Sequence, residues 1–135
     1  NDVLNKESGV YGLSNGTSID FRDLVEASDK GNEYATLALD TYAYRVGKYI
    51  GAYTAAMQGV DVIVFTVGLG EKNIVVRNKI GKYIEYLGTN INQERNQIRG
   101  EEIILSDEDA KVVTMVVPTN EELAIARETL RLVKA

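Results

Sequence analysis

The sequence predicts an α/β fold, and three observations carry that prediction. Apolar residues recur every three or four positions in four stretches, which is the spacing of one helical face. Residues 60–66 and 111–117 are instead almost continuously apolar and β-branched, the pattern of strands covered on both faces of a parallel sheet. Helical stretches also separate those two runs, as parallel crossovers require. With 135 residues the chain suffices for one modest domain.

Each element has its own local signal. Residues 7–16 carry Gly9, Gly12 and Gly16 among polar neighbours and read as a loop. Ser18 or Asp20 caps a short helix reaching about Lys30, with Asp20 and Asp23 beside its first free N–H groups. A longer helix follows Gly31-Asn32, because Leu39, Tyr42/Ala43, Val46, Tyr49/Ile50, Tyr53 and Met57 recur every three or four residues on one face. Asp40, Arg45 and Lys48 lie between them on the wetter side, and Gly59 suits the helix end. After the strand at 60–66, Gly68-Leu69-Gly70 turns the chain sharply. From about Asn73 to Leu87, Val76, Ile80, Tyr83/Ile84 and Leu87 restore helical spacing, with Gly88 placed for a C-terminal cap. Residues 89–99 read as irregular, 102–106 as a short strand and 111–117 as a strong one ended by Pro118. Thr119-x-x-Glu122 has capping-box spacing, and Leu123, Ala126, Leu130 and Val133 continue a last helix.

That inventory is unbalanced. Four helices offer more apolar surface than two strong strands can cover, and a two-stranded parallel sheet is not an independent core. Missing strands, from absent sequence or another chain, would restore the balance. The chain also opens Asn1-Asp2 instead of Met, so it is read as processed or as a piece of something longer.

Composition excludes several function classes. Fifteen basic against twenty acidic residues give a formal charge of −5, and no basic stripe offers a nucleic acid or an anionic membrane a surface. Histidine and cysteine are both absent, which removes disulfides, thiolate zinc sites, cysteine nucleophiles and imidazole acid–base catalysis. No apolar run approaches the ~20 residues of a membrane span, and the start lacks a signal-peptide pattern. A cytoplasmic location is the expectation.

Three segments are candidates for chemistry. Gly68-Leu69-Gly70-Glu71-Lys72 lies between a strand and a helix, where glycines let the backbone approach a phosphate. A tight ligand-free turn explains the same residues. Asp20-Phe21-Arg22 puts a carboxylate, a ring and a guanidinium within one turn, fit for ribose hydroxyls, a base and a phosphate. The plain alternative is a capped helix with Phe21 in the core. Thr119-Asn120-Glu121-Glu122 follows the second strand, where a carboxylate can hold Mg²⁺ against phosphates; capping explains it equally. The tyrosines of the long helix read as packing or as a subunit interface.

These segments also carry a family resemblance over nearly the whole chain. Asn5-Lys6-x-Ser8-Gly9, Asp20-Phe21-Arg22-Asp23, Ala43-Tyr44-Arg45-Val46 and Lys48-Tyr49-Ile50-Gly51 resemble acetate kinase and its short-chain acyl kinase relatives, the acetokinase family. So do Val64-Phe65-Thr66-x-Gly68-x-Gly70-Glu71, Asn96-x-x-Arg99-Gly100 and Pro118-Thr119-Asn120-Glu121-Glu122-Leu123. The resemblance is to the C-terminal third of such an enzyme. It implies part of the second ribonuclease-H-like half of an actin-like ATPase fold, with residues 1–135 as the C-terminal nucleotide-binding portion of a longer kinase. It further implies that ATP or ADP is bound by Asp20, Phe21, Arg22, Gly68, Leu69, Gly70, Glu71 and Lys72, that Glu121 serves Mg²⁺, and that the enzyme is a homodimer. The implied reaction is transfer of the γ-phosphoryl group of ATP to acetate, with propionate or butyrate as rival acceptors and a non-catalytic dimerisation module as the rival reading. The family usually has Asn where Lys72 stands and a small residue where Val67 stands. Its acid pocket and assisting histidine lie upstream, so no catalytic residue is assigned here.

Overall fold

Asp20 and Asn32 organise the first half of the chain, because each side chain accepts a backbone N–H at the head of a helix. The computed structural model describes residues 1–134. Asp20 caps α2 (Phe21–Asp29) through the Arg22 N–H, and Asn32 caps α3 (Glu33–Met57) through the Ala35 N–H. Helix α3 stops where Gln58 adopts a left-handed conformation and Gly59 donates back to the Thr54 carbonyl. The glycine-bearing opening departs from the expected loop. Val3–Glu7 forms a π-helical turn, and Gly9–Leu13 forms a short helix, α1. Packing against α3 decides this: Val10 joins the core and Ser14 is buried, its hydroxyl donating to the Tyr11 carbonyl.

The sheet contains β1 (Val62–Phe65), β2 (Ile103–Ile104) and β3 (Val113–Val116), in the order β1-β3-β2. The expected parallel pair is present, with Val62 opposite Val113 and Phe65 opposite Val116. The short third strand instead runs antiparallel to β3, pairing Ile103 with Val116. Its connection to β3 is too short for a parallel crossover, which takes a dozen residues or more. Between the parallel strands the chain forms α4 (Val67–Lys72) and α5 (Ile74–Ile84). The expected turn at Gly68–Gly70 is therefore a short helix, entered from Thr66.

One face of β1 is covered and the other is not. Ile63 and Phe65 are buried with Leu24, Leu39, Val76, Ile80, Leu105 and Val116, whereas Val62 and Val64 each remain 47% exposed. Coverage of both faces, expected from composition, is thus absent among the described residues, because helices α2, α3 and α5 stack together on one side. The last helix, α6 (Glu121–Val133), has no buried residue. Its cap is also not the expected one: Asn120 accepts the Leu123 N–H, while Thr119 is engaged by Glu71. Asn and Thr both cap well, so the position free of another partner serves.

Thr114 of β3 is fully buried, and its Oγ1 finds no hydrogen-bond partner among the described residues. A buried hydroxyl without a partner has lost water and gained nothing. Thr114→Val, similar in shape, should raise stability by about 1 kcal/mol. Urea unfolding of the two proteins checks this, and a lower midpoint for Thr114→Val would refute it.

Candidate functional site

A cavity of about 850 Å³ opens between the head of α2 and the α4–α5 corner, just beyond the end of β1. Phe21, Leu69, Ile74 and Val75 give it apolar walls, and Asp20, Arg22, Lys72 and Arg99 are its charged side chains. Three cations against one carboxylate make it locally basic in a chain that is acidic overall. Such a cavity matches an anion carrying an apolar ring.

The α2 side is built by one capping residue. Asp20 Oδ1 accepts the Arg22 N–H at 2.8 Å, and the Arg22 guanidinium returns to the same carboxylate, with Nη2 2.6 Å from Oδ2. That two-pronged bond holds the Asp20 carboxyl down to about 2 and raises Arg22. Between them Phe21 turns inward, its ring edge-on to Tyr42 at 4.7 Å. The segment is a capped helix with a packed ring, and it also lines a cavity.

The α4 side separates residues that look alike in sequence. A Cβ on Gly68 would meet open space, and Gly68 lines the cavity. A Cβ on Gly70 would lie 3.2 Å from the Phe65 carbonyl carbon, so Gly70 lets α4 pack on the strand end instead of facing the cavity. Leu69 and Lys72 line the cavity; Glu71 does not. It is 6% exposed, and Oε1 accepts the Thr119 N–H at 2.8 Å and the Thr119 hydroxyl at 3.1 Å. The backbone hydrogen bond from Thr119 is the main influence holding its carboxyl below the usual range, against the opposing pull of burial. Before these residues stands Val67, left-handed at φ +62°, a strained conformation for a β-branched side chain. Glu121 is exposed in the first turn of α6 and does not line the cavity. No group of three or more acidic or imidazole ligands occurs among the described residues.

Comparison with known proteins identifies the family. A sequence profile of the Acetokinase family matches residues 1–127. The chain belongs to the acetokinase family. It is 58% identical over 133 residues to an acetate kinase from Carboxydothermus hydrogenoformans, covering 98% of this chain and 33% of that protein. An acetate kinase from Thermotoga petrophila is 54% identical over 135 residues, covering 98% and 34%. Among solved structures, the Porphyromonas gingivalis acetate kinase superposes with a TM-score of 0.87 at 45% identity, covering 98% of this chain and 33% of that one. A propionate kinase from Francisella tularensis superposes at 0.83 with 33% identity, covering 94% and 32%. The chain therefore spans about a third of the length of these relatives, and its α/β architecture is part of their actin-like ATPase fold.

The sequence reading of this acetokinase-family chain missed the residue that holds the site's floor. Arg77 of α5 is fully buried, and all five of its N–H donors are used. Nε donates to Asn96 Oδ1, Nη1 to the carbonyls of Gly70 and Glu71, and Nη2 to those of Asn96 and Ile98. Asn96 in turn donates to Asn78 Oδ1. Arg77 thereby ties the end of α4 to the segment that delivers Arg99 and Gly100 to the cavity. Burial lowers its pKa, with nearby Arg99 adding to the effect, yet no carboxylate is among its hydrogen-bond partners. A signal existed: Arg77, Ile80 and Ile84 share the apolar face of one helix, an unusual place for a guanidinium.

Proposed function

We propose that this chain is the nucleotide-binding part of a short-chain acyl kinase, which transfers the γ-phosphoryl group of ATP to acetate to give acetyl phosphate and ADP, reversibly. The observation that carries this reading is the convergence of Asp20–Arg22 with Gly68, Leu69 and Lys72 on one basic, apolar-walled cavity. Its volume suits a nucleotide. Phe21, Leu69 and Ile74 would flank the base, Asp20 would take ribose hydroxyls, and Arg22, Lys72 and Arg99 would meet phosphate charge. Lys72 can only donate, so it acts as a point charge where the family's usual Asn would both donate and accept.

Phosphoryl transfer asks for in-line positioning and charge neutralisation more than covalent chemistry. Mg²⁺, when bound with the nucleotide, supplies part of that neutralisation. One exposed carboxylate is a fitting donor, since Mg²⁺ keeps several waters and takes substrate phosphates as its other ligands. Glu121 is the residue we assign to it, directly or through water. The acetate pocket is assigned to sequence beyond this chain, where acceptor choice is made. Similarity to a propionate kinase keeps propionate as the alternative acceptor. A second reading, a dimerisation module, draws on the exposed tyrosines 44, 49 and 53 of α3. We place the protein in the cytoplasm as a homodimer; no helix among the described residues is long and apolar enough to cross a membrane.

Calorimetric titration of the chain with MgADP tests the reading, and binding should be measurable. Gly68→Val fills open space in the cavity and should weaken binding at least tenfold while leaving the melting temperature nearly unchanged. Gly70→Val presses on the Phe65 backbone and should cost roughly 1–3 kcal/mol of stability first. A stable dimer that ignores MgADP would reject the nucleotide reading in favour of the dimerisation module.

The chain by itself should show no acyl kinase turnover with acetate, propionate or butyrate. It has no histidine to assist the transferring phosphoryl group, and removing such electrostatic assistance costs ~10³-fold or more. Lost positioning of the acid removes several kcal/mol more. A coupled ADP-release assay on a preparation shown by mass spectrometry to contain only this chain decides the point; acid-dependent turnover near that of an intact kinase would refute it.

A further inference from the structure

We propose that Glu71 is a positioning residue that couples the cavity to the head of α6, so that Gly68–Lys72 and Glu121 keep a fixed relation to each other. This rests on the nucleotide reading above and deepens it. Glu71 is held from two sides. Its carboxylate accepts both donors of Thr119, the N–H at 2.8 Å and the hydroxyl at 3.1 Å. Its carbonyl accepts Arg77 Nη1 at 2.7 Å and the Gly100 N–H at 3.3 Å. The other end of α4 is tied to the same segment, since Thr66 Oγ1 donates to the Val117 carbonyl at 2.8 Å.

Both ends of α4 are thus pinned to residues 117–119, immediately before the Asn120 cap and Glu121. Pro118 stiffens that segment by fixing its own φ. The Val117 N–H adds a bond to the Phe65 carbonyl at 3.0 Å, and the side chains of α6 itself are all exposed. A buried carboxylate that spends its lone pairs on a neighbouring loop is poorly placed to bind a nucleotide. It is well placed to fix where that loop begins. Thr119 stands two residues ahead of Glu121, so Glu71 acts on the assigned metal residue through that backbone. Outer groups that orient a ligand typically change metal affinity 10–100-fold when removed.

The test is titration of the chain with ADP, with and without Mg²⁺, for wild type, Glu71→Ala and Glu71→Gln. The readout is the factor by which Mg²⁺ tightens ADP binding. Glu71→Ala should reduce that factor about tenfold while leaving Mg²⁺-free ADP affinity within about threefold. Glu71→Gln keeps an oxygen for the Thr119 N–H and should restore most of the Mg²⁺ effect. An unchanged Mg²⁺ factor in Glu71→Ala overturns the coupling. Loss of Mg²⁺-free ADP binding in Glu71→Gln also overturns it, by making Glu71 a direct ligand. A wild-type chain that binds no ADP under either condition overturns the nucleotide reading, and this proposal with it.

Discussion

Arg77→Met should lower the stability of the protein severely, by about 4 kcal/mol or more. The substitution keeps an unbranched stem but deletes five hydrogen bonds, and it leaves the carbonyls of Gly70, Glu71, Asn96 and Ile98 without their guanidinium. Hydrogen bonds from a charged donor contribute about 1.5–3 kcal/mol each, and orphaned buried acceptors add their own desolvation cost. The bonds are not independent, so the sum overstates the loss; a net cost on the order of 4 kcal/mol or more is expected. That is a large fraction of the ~5–15 kcal/mol by which a domain is typically stable. Arg77→Lys retains the charge without the fork and should lose about half as much. Chemical denaturation followed by circular dichroism measures both, and a loss below about 1 kcal/mol for Arg77→Met would show that the hub is dispensable.

Gly47→Ala is expected to destabilise by about 1–2 kcal/mol, opposite in sign to what helix propensity dictates. Alanine in the middle of a helix is favoured over glycine by roughly 1 kcal/mol. Gly47, however, lies in α3 where α5 crosses, and a Cβ there would stand 2.5 Å from the Cβ of Tyr83. Tyr83 Cβ cannot rotate away, because it is fixed to the α5 backbone. The two helices must separate along their contact, and overpacking of that kind typically costs ~1–3 kcal/mol or more. Tyr83 also meets Tyr44 edge-on at 5.7 Å, a contact that would open with the helices. Thermal melting of Gly47→Ala checks the sign directly; a raised melting temperature would mean that propensity outweighs the contact.

Sequence alone determined the elements whose causes are local. The caps at Asp20 and Asn32 were legible because a short polar side chain accepts an N–H two or three residues on, wherever the rest of the chain lies. Helix α3 was legible in its apolar spacing, although only its first part buries that face and Tyr49, Tyr53 and Met57 are exposed. The parallel pairing of β1 with β3 was legible in two β-branched runs joined by helix. The motifs also sufficed to name the family. Tertiary structure decided what depends on neighbours distant in sequence. Packing on α3 made a helix of the glycine-bearing opening, and a short connection turned β2 antiparallel. Thr119 went to Glu71, 48 residues away, and left the cap to Asn120. Gly68 and Gly70 are two positions apart and chemically identical, yet one faces a cavity and the other a strand end, because α4 is a helix where a turn was expected. Arg77 looked like one more cation until the chain folded around it. Only the closure of residues 70–71 and 96–98 supplies the five acceptors that make its burial stable, and no local pattern encodes acceptors that distant segments must provide.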